Sequence, residues 1–366
     1  MPKNQTAKRK LSHIRTTLQE QVQAHVPSGF DDVRLIHKAL PEIDKKEIDL
    51  STELFGHRIN APILIESMTG GTPIAAKINR SLAIVAERLG IAMGVGSQRA
   101  AIEDNRLVYT YKVAREAAPS IPIFANLGCP QLMQKDAVDR AKKAVEMIDA
   151  TGLFIHLNAL QESVQYEGET NFKNMIENIS RLTDFISVPI LVKETGAGIS
   201  KETAASLQKT KVQGINVSGL GGTSWAAVEY YRAREKHHLL QMHLGTTFWD
   251  WGVPTVPSIV EVANTTTLKV FASGGVRNGL HIAKAIALGA HYGGSALPML
   301  KSINAGERSA IDSLNTIIEE LKNAMFLTGS KTLEELHQAP LVIAGETQRW
   351  LQQRGFNPER YAQRGR

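Results

Sequence analysis

Eight times along the chain a short apolar run ends abruptly in small or polar residues. The runs cover 62–67, 91–97, 122–126, 153–158, 189–194, 214–218, 269–273 and 290–295, the last being the least apolar. Runs that are apolar throughout, rather than alternating, fit strands buried on both faces, as in a parallel sheet. Stretches of helical spacing separate them. Ile78, Leu82, Val85 and Leu89 recur at intervals of three and four within 75–89, and 137–148 and 282–288 behave alike. Early strand starts lie roughly thirty residues apart, the size of one βα unit. This alternation predicts an α/β chain folded as a (β/α)8 TIM barrel, with an open doubly wound sheet as the competing architecture.

Two regions stand outside the regular count. Residues 1–60 are expected to supply a basic arm and a cap over the barrel base, 61–305 the barrel, and 306–366 a helical C-terminal extension of the same domain. The long piece 219–268, carrying Phe248-Trp249-Asp250-Trp251-Gly252, falls where a βα loop covers or builds the site of such a barrel. With 43% hydrophobic and 21% charged residues the chain has material for one large core, which excludes disorder and a disulfide scaffold. The net charge is +6, with Lys3, Lys8, Arg9, Lys10 and Arg15 at one end and Arg349, Arg354, Arg360, Arg364 and Arg366 at the other. No long basic block is interleaved with aromatics, so nucleic acid is not an expected partner. The single Cys129 cannot form an internal disulfide, which suits a reducing compartment. No apolar stretch approaches the roughly 18 residues of a membrane span, and the basic start lacks the apolar stretch of a secretory signal. A cytoplasmic protein without a membrane partner is expected.

The carboxyl ends of barrel strands point into the site, so each end is read for chemistry. The seventh and eighth give Ser273-Gly274-Gly275-Val276-Arg277 and Gly293-Gly294-Ser295-Ala296, each leading toward a helix, the usual phosphate site of this architecture. Tight turns that need glycine are the alternative, but three glycine-rich strand ends coincide, which favours a bound phosphate. No GxGxxG follows a strand into a helix, so a dinucleotide fingerprint is absent. Lys193 either snorkels to solvent, stabilises an anion that develops on a ligand such as a reduced flavin, or forms a Schiff base. His156 alone reads equally as a satisfied core histidine, but Asn158, Gln161 and Glu162 follow it within a few positions, a polar concentration that core packing does not require. Glu162 could hold Mg2+ together with phosphate oxygens and waters. The run Arg9-Lys10-Leu11-Ser12-His13 is either a solvated arm or a flap that neutralises a polyanion.

Taken together, these strand ends resemble the type 2 isopentenyl diphosphate isomerases, an FMN-dependent family. The resemblance runs from Arg9-Lys10-x-x-His13 to Arg349-Trp350-Leu351. It is carried by MTGG at 68–71, GSQR at 96–99, ANLG at 125–128, HLNALQE at 156–162, VKETGAG at 192–198, VSGLGGTSW at 217–225, DWGVPT at 250–255 and SGGVRNG at 273–279. The HLNALQE run with the RKxxH arm is its specific part, since SGGVR occurs in many FMN barrels. The resemblance implies that FMN lies on Ser67, Met68, Thr69, Ser97, Asn126, Lys193, Ser218, Thr223, Gly274, Gly275, Arg277, Ser295 and Ala296. It places the diphosphate substrate on Arg9, Lys10, His13, Ser97, Gln98, Arg99, Asn158 and Gln161, the last against the isoprenoid. Gln161, His156 and Lys193 become the catalytic set, Glu162 the Mg2+ ligand, NADPH the reductant, and a homo-oligomer (tetramer or octamer) the assembly. The reaction implied is the 1,3-allylic shift between isopentenyl and dimethylallyl diphosphate, without net redox change. The competing activity is an FMN-dependent 2-hydroxy-acid oxidase or dehydrogenase, which should carry a His-x-Arg arrangement after the seventh strand; the sequence there lacks it.

Overall fold

The computed structural model describes residues 5–364. Eight parallel strands close into a barrel in chain order. They are β1 (Ile63–Ile65), β2 (Ala92–Gly94), β3 (Ile123–Gly128), β4 (Gly152–His156), β5 (Ile190–Lys193), β6 (Gly214–Asn216), β7 (Lys269–Ala272) and β8 (Tyr292–Ser295). Closure comes from β8 lying beside β1, with Gly294 opposite Leu64 and Ser295 opposite Ile65. The closed ring excludes the open doubly wound sheet. Each strand falls within or across one of the apolar runs, because a segment that is apolar except toward its carboxyl end can be covered by helices outside and packed against its neighbours inside.

Side chains that point inward build the barrel interior in tiers. One tier is apolar and aromatic: Leu64, Ala92, Phe124, Phe154, Leu191, Phe271 and Tyr292. Its rings meet at 4.9 Å for Phe124 and Phe154 and 4.6 Å for Phe271 and Tyr292. Below it, a hairpin formed by Thr52–Leu54 and His57–Ile59 contributes Leu54 and Ile59 to the same cluster and so stoppers the amino-terminal end. Phe55 and Gly56, at φ 49° and 83°, make its two-residue turn, the left-handed pair that matches strand twist. The Tyr292 hydroxyl donates to the Glu53 carbonyl at 2.6 Å and pins the hairpin to β8.

The terminal regions are joined to each other across the outside. Val33–Leu35 pairs antiparallel with Leu341–Ile343, and the larger apolar cluster runs without interruption from Phe30 and Val33 through the strands to Leu351 and Tyr361. The long helix Glu307–Thr328 crosses the helix Gly279–Leu288 closely enough that a β-carbon on Gly279 would stand 2.0 Å from the Ile317 carbonyl oxygen. At the other end of the barrel, the arm helix Gln5–Gln19 lies across the mouth, with Arg9, Lys10, His13 and Ile14 over the cavity. Among the described residues no helix is long and apolar enough to cross a membrane.

Candidate active site

Two residues beyond the aromatic tier, the same inward alternation brings Glu66, Asn126, His156, Lys193, Asn216 and Ser273 together, with glycine at 94 and 294. This polar tier is the floor of the main cavity. Asn126 is oriented by its own amide, whose Nδ2 donates to the Val95 carbonyl at 3.2 Å, so its Oδ1 is left to accept from His156 Nδ1 at 2.7 Å. Burial, with the cations Lys193, Lys10 and Arg9 around it, pushes His156 down to about 3. His156 is therefore a neutral imidazole that donates through Nδ1, so Nε2 is an acceptor and the ring carries no charge near neutral pH. Lys193 is buried and donates to the Glu194 carbonyl at 2.8 Å, which leaves its remaining ammonium protons for a ligand.

One wall is made of glycine-rich loops that interlock. Gly274 and Gly275 take φ 92° and 71°, and β-carbons there would stand 2.1 Å from the Gly219 carbonyl oxygen and 2.5 Å from that of Gly221. No side chain fits between the two loops, so their backbones come close enough to present amides to one ligand. Asn278 caps the helix that follows, accepting from the His281 amide at 2.8 Å, and Arg277 stands before it bonded to Gln23 at 2.9 Å. Ser67 Oγ, Thr69 Oγ1 and Ser295 Oγ are buried and have no hydrogen-bond partner among the described residues. Of these, Ser67 and Thr69 line the cavity, and unpartnered hydroxyls beside a glycine cradle at helix amino ends fit a phosphorylated cofactor with polar ring edges.

The opposite wall and the roof carry the remaining charges. Glu162 is buried and accepts from Asn158 Nδ2 at 2.7 Å, Gln165 Nε2 at 2.6 Å and the Glu169 amide at 2.7 Å; burial raises its carboxyl above the usual range. Arg99 is bracketed by Glu103 and Glu169, each at 2.7 Å. From the roof, the Lys10 ammonium reaches the Ser97 carbonyl and, at 3.0 Å, the Tyr111 hydroxyl. Burial in the first place, and Arg9 beside it, bring Lys10 down to about 7. His13 Nε2 lies 3.0 Å from Glu229, and its ring meets Trp225 edge-on at 5.1 Å. Glu229 also accepts from Gln161 Nε2 at 3.0 Å and is paired with Arg232, which in turn holds Glu167 at 2.5 Å. Burial opposes ionisation of Glu229, but the His13 bond and the Arg232 charge outweigh it and hold the carboxyl at about 2.

Most residues singled out in the sequence meet here: Arg9, Lys10, His13, Ser67, Met68, Thr69, Ser97, Arg99, Asn126, His156, Asn158, Gln161, Glu162, Lys193, Ser218, Thr223, Gly274, Gly275, Arg277 and Ala296 all line the cavity. Gln98 and Ser295 do not. The Gln98 side chain turns outward, donating to the Ala144 carbonyl at 2.7 Å and accepting from the Asn126 amide at 2.9 Å. It secures β3 under Asn126 and leaves no group for a diphosphate. Ser295 is buried, and the strand alternation that turns Gly294 inward turns Ser295 away from the barrel interior. Glu66, which lines the cavity, and Glu229 and Tyr111, which hold its lining residues, are site residues that the motifs did not mark, while Trp225 closes the VSGLGGTSW motif and lines the cavity without having been assigned a role. Glu229 and Trp225 come from the helix Trp225–Glu235, where only the Glu229–Arg232 spacing of three hinted at a pair. Tyr111 belongs to the helix Tyr109–Ala117 and owes its place to Gly70, where a β-carbon would lie 1.9 Å from the ring.

Comparison with known proteins decides the family. Residues 4–144 and 125–343 match the FMN-dependent dehydrogenase family. The isopentenyl-diphosphate delta-isomerase of Methanothermobacter thermautotrophicus is 45% identical over 356 residues, 97% of this chain and 99% of its own. The enzyme of the same name from Pyrococcus furiosus is 46% identical over 95% of this chain and 90% of its own. The chain belongs to the isopentenyl-diphosphate delta-isomerases, within the FMN-dependent dehydrogenase family. The resemblance read from the strand-end motifs is thereby borne out. Among solved structures, a Pediococcus acidilactici lactate oxidase (TM-score 0.64, 18% identity, covering 91% of this chain and 87% of its own) and a flavocytochrome b2 variant (TM-score 0.67, 17% identity, 91% and 83%) share the barrel. At that identity the likeness concerns the fold alone, and the hydroxy-acid oxidase alternative gains nothing from it. The glycine cradle, the unpartnered hydroxyls and Lys193 fit FMN, the cofactor of the family.

Proposed function

We propose that this chain interconverts isopentenyl and dimethylallyl diphosphate on the floor of the barrel mouth, with Mg2+ at Glu162, NADPH as the reductant and the cytoplasm as its compartment. The observation that carries this reading is the joining of two features in one cavity: a flavin-type cradle below, and the arm cations Arg9 and Lys10 above. Isomerisation needs a proton placed on C4 and another taken from C2, and an unactivated alkene is a poor base. When bound and reduced, FMN supplies the acid and the base for these transfers.

The chain's own residues do the rest. Lys193 offers a fixed ammonium to the cofactor's electron-rich edge. Gln161, its amide held by Glu229, presents Oε1 to the allyl unit and limits its rotation. His156, neutral and anchored to Asn126, accepts a hydrogen bond without bringing a competing charge. Arg9, Lys10, Arg99 and His13 bind the diphosphate, and the arm helix with Trp225 excludes water above it. Glu162 is a single carboxylate, and no group of three His, Cys, Asp or Glu that could hold a metal stands among the described residues. That suits Mg2+, which binds through one carboxylate, waters and the substrate's own phosphate oxygens. A homo-oligomer completes the proposal.

Two measurements test it. The purified protein should show flavin bands in the visible spectrum. Supplied anaerobically with NADPH and Mg2+, it should convert isopentenyl diphosphate to its allylic isomer with no oxidised product. Failure to convert the alkene under those conditions refutes the assignment.

A further inference from the structure

Glu66 is an unexpected group in the floor. It stands two residues beyond Leu64 on the β1 side of the barrel, so its side chain turns into the interior, and it is only 4% exposed. Its Oε1 accepts from Asn216 Nδ2 at 2.6 Å, a bond that crosses the interior from β6. The direction of that amide is fixed from the far side, because Ser273 Oγ donates to Asn216 Oδ1 at 2.6 Å. Oε2 is buried and has no hydrogen-bond partner among the described residues, although the residue lines the main cavity. Room for it is kept open: a β-carbon on Gly294 would stand 2.1 Å from Oε1. The tier beneath is apolar, so packing alone gives no reason for a carboxyl here. A carboxylate oxygen buried without a partner is costly, and something that meets it or uses its charge must offset that.

We propose that Glu66 is a positioning residue that sets the reduction equilibrium of the cofactor: a fixed carboxylate under the bound flavin that opposes negative charge on the ring. This rests on the reading that FMN occupies the cavity. Two-electron reduction draws one or two protons from solvent, and the ring ends anionic or neutral accordingly. In a low-dielectric floor the Lys193 ammonium favours the anion, while the Glu66 carboxylate favours the fully protonated ring. The two residues stand in one tier and pull in opposite directions. Glu66 thus keeps on the reduced cofactor the proton that the isomerisation draws upon, at the cost of making reduction harder.

The test is a potentiometric titration of the purified holoprotein at neutral pH, read from the flavin spectrum against a reference dye. Glu66→Gln keeps an acceptor for Asn216 and removes the charge. Reduction should become about tenfold more favourable, which for a two-electron couple is a rise of about 30 mV. Glu66→Asp, which keeps the charge, should stay closer to the parent than to the glutamine variant. Should Glu66→Gln lose the cofactor, Glu66→Ala removes the charge without adding an amide donor and must show the same rise. A neutral variant that retains FMN at the parent's potential overturns the proposal, as do Gln and Asp variants that shift alike, since packing rather than charge would then be at work. Both results leave the cofactor assignment standing. A parent protein that holds no FMN, as purified or after reconstitution, removes the assignment and this inference together.

Discussion

Replacing Glu229 by glutamine removes one charge and swaps one oxygen for an amide, and no orientation of the new side chain satisfies its neighbours. His13 Nε2 and Gln161 Nε2 both meet Oε1, while Arg232 meets Oε2. A glutamine must turn its NH2 either toward the Gln161 amide or toward the guanidinium, and either contact opposes donor to donor. Removing one partner of a buried ion pair costs about 3–5 kcal/mol. Arg232 keeps Glu167 at 2.5 Å, so about 2–3 kcal/mol is the expected loss here. At about 2.1 cal/mol/K per residue, 366 residues give an unfolding entropy of roughly 0.8 kcal/mol/K, and the melting temperature should fall by about 3 °C. Activity should suffer more. Gln161 loses the acceptor that fixes its amide, and a misplacement of about 1 Å at a reacting group costs on the order of a hundredfold. In an anaerobic assay with prereduced flavin, kcat should drop ten- to a hundredfold, by about the margin that misplacement predicts, with KM changing less. A Glu229→Gln protein with parental kcat and melting temperature would refute the view that this carboxylate organises the roof.

Other tests follow from the same geometry. Burial brings Lys10 down to about 7, so above that pH the free protein loses the ammonium that the proposed function assigns to the diphosphate. KM for the substrate should therefore rise as pH climbs through 7, and calorimetry in buffers of different ionisation enthalpy should show proton uptake on binding; Lys10→Met should abolish both. Gly70→Ala drives a β-carbon into the Tyr111 ring and should cost about 1–3 kcal/mol by overpacking, seen as a lower melting temperature together with a raised KM, because Tyr111 holds Lys10. Glu162→Gln should lose Mg2+ dependence and most activity while still purifying yellow; a colourless protein would show that flavin and metal sites are not separate.

The barrel was legible because its signal is local. Each strand is a run such as that around Ile123 or Ile190 that no solvated segment would tolerate, and repetition of the pattern leaves little choice of architecture. The strand-end residues were legible for the same reason, since a polar group that closes an apolar run has one place to point. What escaped depends on partners far away in sequence. Glu229 gains its role from His13, more than two hundred positions earlier, and Glu66 from Asn216 across the barrel. Gln98 sits inside the GSQR motif yet faces Ala144, because the Asn126 amide beside it needs an acceptor more than the cavity needs another donor. The base hairpin was hidden by its length: two strands of three residues, Thr52–Leu54 and His57–Ile59, carry too little pattern to announce themselves.

The arm helix touches the helix Trp225–Glu235 on one side and the helices Arg99–Glu103 and Leu297–Asn304 on the other, so it spans the opening like a bar across a door. Anything that rests on the polar floor lies beneath that bar, and in the proposed function the diphosphate held by Arg9 and Lys10 lies directly against its underside. The cavity is thus layered: a cofactor on the floor is the deeper guest, and the proposed substrate lies between it and the bar.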